Sequence, residues 1–410
     1  MKKNIYSLAA TFFILTFLSS TLFAQGWWYR KSDCDLSART AAVSFSIGTG
    51  GFLATGFDSS SFRRQLSVYN TTNDTWTQLQ SMGGVSGSGL GRDAAASFSV
   101  GTKGYVVMGQ GANPYLNDTW EYDAGSDTWT QKANFSGTPR RSSVGFALNN
   151  KGYITCGQTA TGFTNETWMY DPIFNTWTMK AAFPGTARRL PVAFVVGTLA
   201  YVGTGDDGGF KNDFYQYDAS ANSWTPKASF GGTPRYGAAA FVIGTDGYVG
   251  TGYDNTLSNR KDFWKYNTTS NSWTQVQDFA GTARSNAVTF SLGSYGYLGT
   301  GYDSLPAKDL WKYDPLSNSV DEIAKFKASV NVYPNPMTTS AIIKFDERSL
   351  EAFNTISFML FDMNGRMMKN INNIRSSELS IERENMTTGI YVYKIVADNY
   401  LIKSGKIIVQ

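Results

Sequence analysis

The sequence predicts an all-β chain in which six four-stranded sheets stack into a closed ring, followed by a small β-sandwich. Two series in step carry the first part. Arg39, Arg92, Arg140, Arg188, Arg235 and Arg284 are separated by 53, 48, 48, 47 and 49 residues. Phe52, Tyr105, Tyr153, Tyr201, Tyr248 and Tyr297 are each followed four residues later by a glycine, from Gly56 to Gly301. Such self-similarity marks a repeat architecture whose units bury their apolar faces against one another. A change of composition after about Ala328 carries the second part: tryptophan disappears and Ile, Met, Lys and Asn take over.

Taken in chain order, residues 1–24 read as a secretory signal peptide. Met1-Lys2-Lys3 is followed by an apolar stretch through Leu18 and small residues up to Ala24, with cleavage expected near Ala24-Gln25. The apolar run is too short and interrupted for a membrane span. Residues 25–320 hold the repeats. Each unit offers four short runs rich in β-branched and aromatic residues, punctuated by Gly and Asn-Asp clusters, which read as antiparallel strands A to D. In the first unit A holds Ala41–Ile47, B holds Gly51–Gly56, C ends in Val68-Tyr69-Asn70 and D carries Trp76. The D-strand series Trp76, Trp129, Trp177, Trp224 and Trp273 is expected to anchor each sheet on the next, since each aromatic buries roughly 150–250 Å².

The ends of the array predict closure. A D-strand Trp precedes the next repeat Arg by 11 residues, except for 16 from Trp76 to Arg92, where Gly83 to Gly89 lengthens the loop. Trp28 also lies 11 residues before Arg39, whereas the sixth unit offers Val320 where its own Trp would fall. The segment Trp27-Trp28-Tyr29 is therefore expected to complete the last sheet and remove its exposed edge.

The glycine-ended B strand with a recurring Tyr and Trp resembles the kelch motif, with the family's glycine pair replaced by pairs such as Thr55-Gly56 and Cys156-Gly157. The resemblance implies a six-bladed kelch-like β-propeller. Residues 321–329 read as a linker. In 330–410, alternating runs at Ala341–Phe345, Ile356–Phe361, Gly389–Val396 and Lys406–Val409, with a hairpin turn at Asp362-Met363-Asn364-Gly365, predict a small immunoglobulin-like sandwich. The motifs Val330-Asn331-Val332-Tyr333-Pro334-Asn335-Pro336, Leu360-Phe361-Asp362-Met363-Asn364-Gly365-Arg366 and Thr388-Gly389-Ile390-Tyr391-Val392-Tyr393, with terminal Lys406-Ile407-Ile408-Val409, resemble the C-terminal sorting domain of the type IX (Por) secretion system of Bacteroidetes. This resemblance implies engagement of that machinery, passage across the outer membrane, removal of the domain, and a protein released or anchored at the cell surface.

Composition narrows the function. Histidine is absent from all 410 residues, which excludes His-based triads and His-ligated zinc or copper. Galactose oxidase, a copper enzyme on a kelch-type propeller, is therefore a poor guide, and neither cofactor nor metal is expected. Cys34 and Cys156 lie in different units. A disulfide is possible but not indicated, and Cys156 reads as a small buried residue. The net charge of +4 is spread among acids, which argues against nucleic-acid binding.

Strand direction places the repeat arginines and the loops after strand B on one face of the ring, and the kelch resemblance, which puts A and B innermost, implies that this face surrounds the axis. The residue after the B-strand glycine varies: Phe57, Gln110, Gln158, Asp206, Tyr253 and Tyr302. Phe57, Tyr253 and Tyr302 are expected to form an aromatic arc backed by Asp58, Asp254 and Asp303, with Gln110, Gln158, Asp206 and Asp207 opposite. Aromatic faces beside carboxylates and amides suit a sugar. The repeat arginines and the C-strand acids Asp118, Glu166, Asp213, Asp262 and Asp309 read chiefly as bracing, though Arg188 and Arg235 are also candidates for ligand contact. The expected function is non-catalytic binding of an extracellular glycan or protein. The alternatives are a carbohydrate-active enzyme, such as a mutarotase or lyase using Asp206 or Asp207 with Arg188 or Arg235, and an interaction module in a surface assembly.

Overall fold

The computed structural model describes residues 26–84, 91–112, 115–317, 330–345, 350, 353, 355–397 and 400–410. The expected signal peptide, the Val320 position, the linker and part of the long Gly83–Gly89 loop lie outside these residues. Among the described residues of 26–317 are six four-stranded antiparallel sheets, each running A-B-C-D from the axis outward. In the first, the strands are Val43–Ile47, Gly50–Ala54, Leu66–Asn70 and Thr75–Leu79. In the sixth, Val288–Leu292, Tyr295–Gly299 and Leu310–Asp314 are completed by Trp27–Lys31, paired antiparallel with Trp28 opposite Tyr313. The A strands adjoin one another around the axis, with the first against the sixth.

Strands A and B are shorter than the hydrophobic runs suggested, because the backbone leaves the β region before the start of A and after the end of B. Ala41 takes φ 49°, and Thr55 and Gly56 take 62° and 100°. The residue before the B-strand glycine, where kelch repeats carry their first glycine, keeps glycine-like geometry in all six blades: Thr55, Met108, Cys156, Thr204, Thr251 and Thr300 have φ between 56° and 64°. A β-branched residue there stores of order 1 kcal/mol of strain.

Blades meet through aromatic layers. A cross-strand pair on A and B is stacked in each blade, as in Phe146–Tyr153 with ring centroids 5.4 Å apart. The C-strand tyrosine of the next blade packs on it, as in Tyr217 on Tyr153, and the sixth blade receives Tyr69 of the first on Tyr297. Such pairs contribute roughly 0.5–1.5 kcal/mol each beyond their area. Close approach calls for a small residue at the neighbouring B position, glycine in five blades and Ala200 in the fourth: a Cβ on Gly104 would lie 2.2 Å from the Phe45 ring.

Three hydrogen-bonded belts also run from blade to blade. The N–H of Ala94, Ser142, Leu190, Gly237 and Asn286 each donates to the carbonyl of the equivalent residue one blade earlier, and Ala41 donates to Asn286 at 3.3 Å to close the circle. Each B-strand glycine N–H donates to the repeat-arginine carbonyl of the following blade, ending with Gly301 to Arg39 at 3.0 Å. Outside, each D-strand indole donates to a carbonyl of the preceding blade, including Trp76 to Ser32 and Trp28 to Gln277.

The C-terminal part holds a three-stranded and a four-stranded antiparallel sheet enclosing Ile343, Phe345, Ile356, Phe358, Tyr393 and Ile395. Its strands include Ser340–Lys344, Ile356–Phe361, Gly389–Ala397 and Tyr400–Val409. The Asp362–Gly365 turn forms as the sequence indicated, with Gly365 at φ 81° and the Asp362 carboxylate accepting from the Asn364 N–H at 2.9 Å. Among the described residues no helix is long and apolar enough to cross a membrane.

Candidate functional site

The repeat arginines are posts inside the frame. Arg188 and Arg235 are 0% exposed. Arg235 donates to both carboxylate oxygens of Asp262 at 2.7 and 2.9 Å and to the carbonyls of Thr251 and Thr233, with its guanidinium over the Phe230 ring. Arg188 does the same with Asp213, Thr204, Thr186 and Phe183. The expectation that Arg188 and Arg235 touch a ligand is thereby corrected. Their donors face carbonyls and C-strand acids, because a buried guanidinium must be satisfied on all sides. Blades 2, 3 and 6 pair Arg92 with Asp118, Arg140 with Glu166 and Arg284 with Asp309, while Arg39 has Gln65 in place of an acid.

Just beyond these posts, strands A and B are prolonged by one bridge per blade. Thr40, Asp93, Arg141, Arg189, Tyr236 and Ser285, each following a repeat arginine, pair with Phe57, Gln110, Gln158, Asp206, Tyr253 and Tyr302. The residues after the arginines are thus half of the mouth, and the sequence reading overlooked them. Their signal was present: the doublets Arg140-Arg141 and Arg188-Arg189 occur in two blades only.

Two of these residues organise one side. Arg141 donates to the side-chain oxygens of Gln110 and Gln158, and Arg189 donates to Gln158 at 3.1 Å and to Asp206 at 2.9 Å. The result is a ladder Gln110–Arg141–Gln158–Arg189–Asp206 across blades 2 to 4. The guanidinium carbons of Arg141 and Arg189 lie 5.9 Å from the Tyr115 ring and 5.6 Å from the Phe163 ring. The ladder continues into rings. Phe210, bridged to Asp206, stacks on Tyr236 at 5.6 Å, and Tyr236 meets Tyr253 at 5.6 Å.

The expected arc of Phe57, Tyr253 and Tyr302 is therefore redrawn. Tyr253 joins Tyr236 and Phe210, Phe57 packs on Phe62 at 5.3 Å within its own loop, and Tyr302 is 44% exposed. The carboxylates behind them are tied into turns. Asp254 is 0% exposed and bonded to Thr233, Thr256 and Arg260, so its candidacy as a ligand contact is also corrected. Burial alone would raise its carboxyl, but these hydrogen bonds outweigh it and hold it at about 2. Burial likewise opposes ionisation of Asp58 and Asp207, yet Arg63 with Ser60, and Lys211, keep both below the usual range. Asp303 receives the Leu305 N–H at 3.5 Å.

Asp93 is unlike these. Its Oδ1 is buried with no hydrogen-bond partner among the described residues, and burial raises its carboxyl to about 6 despite the nearby positive charge of Arg141. Inside the mouth the A strands line a channel of about 230 Å³ walled by small residues such as Ala42, Ser44, Ala95, Ala193 and Ala240. Cys34 and Cys156 are both free and buried, and burial pushes each thiol up to about 12, which makes them unreactive.

Residues 50–231 match the KLHDC2/KLHL20/DRC7 Kelch-repeats domain, and residues 331–410 match the secretion system C-terminal sorting domain. The ring is a kelch-type propeller, and the sandwich behind it is a type IX sorting domain. A solved structure titled "Structure of YjhT" shares the fold, with TM-score 0.59 and 14% identity over 68% of this chain and 95% of that one. A comparison with curated proteins returns no match. The sorting domain directs the propeller to the type IX secretion machinery, and so to the cell surface or the extracellular space.

Proposed function

We propose that the propeller is a non-catalytic binding module whose mouth takes an extracellular glycan. The observation that supports this reading is the inequality of the mouth on an otherwise repeated frame. The guanidinium–amide ladder of blades 2 to 4 runs directly into the Phe210–Tyr236–Tyr253 rings of blades 4 and 5. Aromatic faces accept the C–H face of a sugar, while Arg141 and Arg189 keep N–H donors beyond those spent on the ladder, suited to hydroxyl or carboxylate oxygens. The narrow axial channel keeps such a ligand at the surface.

A second reading, turnover of the glycan, is favoured by one group. The expected pairing of Asp206 or Asp207 with Arg188 or Arg235 meets two buried arginines; Asp93 beside Arg141 has the proton affinity a general acid or base needs near neutral pH. Glycan-array binding by the mature chain separates the readings. Tyr253→Ala and Arg141→Gln are each expected to weaken binding of a captured glycan at least tenfold without lowering thermal stability by more than a few degrees. Unchanged affinity in both would remove the mouth as the site. Conversion of the glycan by the parent but not by Asp93→Asn would favour the enzyme.

A further inference from the structure

The closing strand departs from the other five D strands on one face. In register terms Trp28, opposite Tyr313, occupies the D-strand tryptophan position and packs inward on Phe241, Phe263 and Phe279. Its neighbours Trp27 and Tyr29 point to the other side of the pleat. The residues in their places elsewhere are Thr75 and Thr77, Thr128 and Thr130, Thr176 and Thr178, Ser223 and Thr225, and Ser272 and Thr274. All ten are exposed. Only the strand that closes the ring puts two large aromatic rings where the repeat puts small hydroxyls facing water.

Those rings are not left in water. Trp27 is 6% exposed and belongs to the apolar core of the sorting domain, meeting the Phe353 ring edge-on at 6.1 Å. Tyr29 packs against the same core and donates its hydroxyl to Ser317 at 3.0 Å, while the Lys312 ammonium lies 4.9 Å from its ring. Beside this contact a cavity of about 610 Å³ is lined by Trp27, Trp28, Arg30 and Gln277 from the ring and Thr355 from the sandwich.

We propose that Trp27 and Tyr29 form a dock for the chain's own sorting domain, and that the dock is complete only once Trp27–Lys31 has paired into the sixth sheet. The occupant is fixed by the residues themselves: Phe353 covers Trp27, and the two rings that create the patch both pack on the core of the sandwich. The sorting domain thereby rests on closure of the ring it exports. Removal of the domain uncovers the two rings and leaves an apolar patch on the mature propeller's outer edge.

Hydrogen–deuterium exchange on the intact chain tests this. The Trp27→Thr/Tyr29→Thr variant gives the closing strand small hydroxyls like those of the other five D strands, so the ring should keep its urea midpoint, monitored by the remaining tryptophans. Amides of residues 355–361 are expected to exchange on the order of tenfold faster in the variant than in the parent. A Phe353→Ala variant is expected to accelerate exchange in Trp27–Lys31 from the opposite side. Equal exchange in parent and both variants would overturn the dock. Loss of the urea transition in the first variant would also overturn it, by showing that the two rings serve the propeller itself.

Discussion

At the scale of single residues, the frame and the mouth obey different rules. The six repeat arginines are spent on partners within the frame, beginning with the carbonyl of the residue before each B-strand glycine; in the mouth, where residues vary, polar groups remain available. Asp93 shows the cost. Its carboxyl stands at about 6 in the folded chain against an ordinary 3.8, so between those values the folded chain holds a proton the unfolded chain has released. Stability conferred by the neutral form is complete below about pH 4 and is lost as pH rises through 6. Asp93→Asn is therefore expected to gain about 1–2 kcal/mol over the parent at pH 7.5 and almost nothing at pH 4, read from urea unfolding at the two pH values. An equal gain at both would contradict the burial argument. The sequence could not disclose this residue's role, because its environment is set by Gln110 and by Arg141 of the next blade, both distant along the chain.

At the scale of elements, the arginine posts tie the segment before strand A and the end of strand B to the start of strand C. Arg235→Met leaves the Asp262 carboxylate with the Trp264 indole but without its two guanidinium donors, strips the Thr251 carbonyl of the same partner, and is expected to cost about 3 kcal/mol. Arg39→Met should cost measurably less, since its partner Gln65 is neutral and bonds at 3.2 Å. Chemical denaturation of the two variants side by side checks the ordering. Here the sequence was informative. An Arg at one repeat position and an acid at another, in step through five blades, already read chiefly as bracing. Strand existence was equally legible from alternation and from the Tyr and Trp columns. Strand ends were not, because Thr55 and Ala41 adopt left-handed geometry that nothing in their side chains announces. The mouth was half legible. The variable column after each glycine was visible, but its partner column became meaningful only through the extra bridge that places Arg141 beside Gln158 and Tyr236 beside Tyr253.

At the scale of the whole molecule, the ring is held by strand pairing, aromatic layers and three hydrogen-bonded belts, and each of these passes through the junction of the sixth and first blades. Trp28→Ala removes the ring by which the closing strand of the sixth blade packs on Phe241, Phe263 and Phe279 of the fifth and on Tyr313, and is expected to cost about 3–5 kcal/mol and to lower the thermal midpoint of the whole propeller in one transition. Loss confined to a minor early transition would show that the sixth blade melts by itself.

The pairing of Trp28 with Tyr313 also has a meaning in time. The two residues are 285 positions apart. At the usual pace of about 5–20 residues per second, the ribosome takes roughly 15 to 60 seconds to travel from one to the other. For that interval the earliest strand of the propeller exists without its neighbour and carries two adjacent tryptophans. The five complete blades can assemble behind it as they emerge, but the circle waits for its last tyrosine.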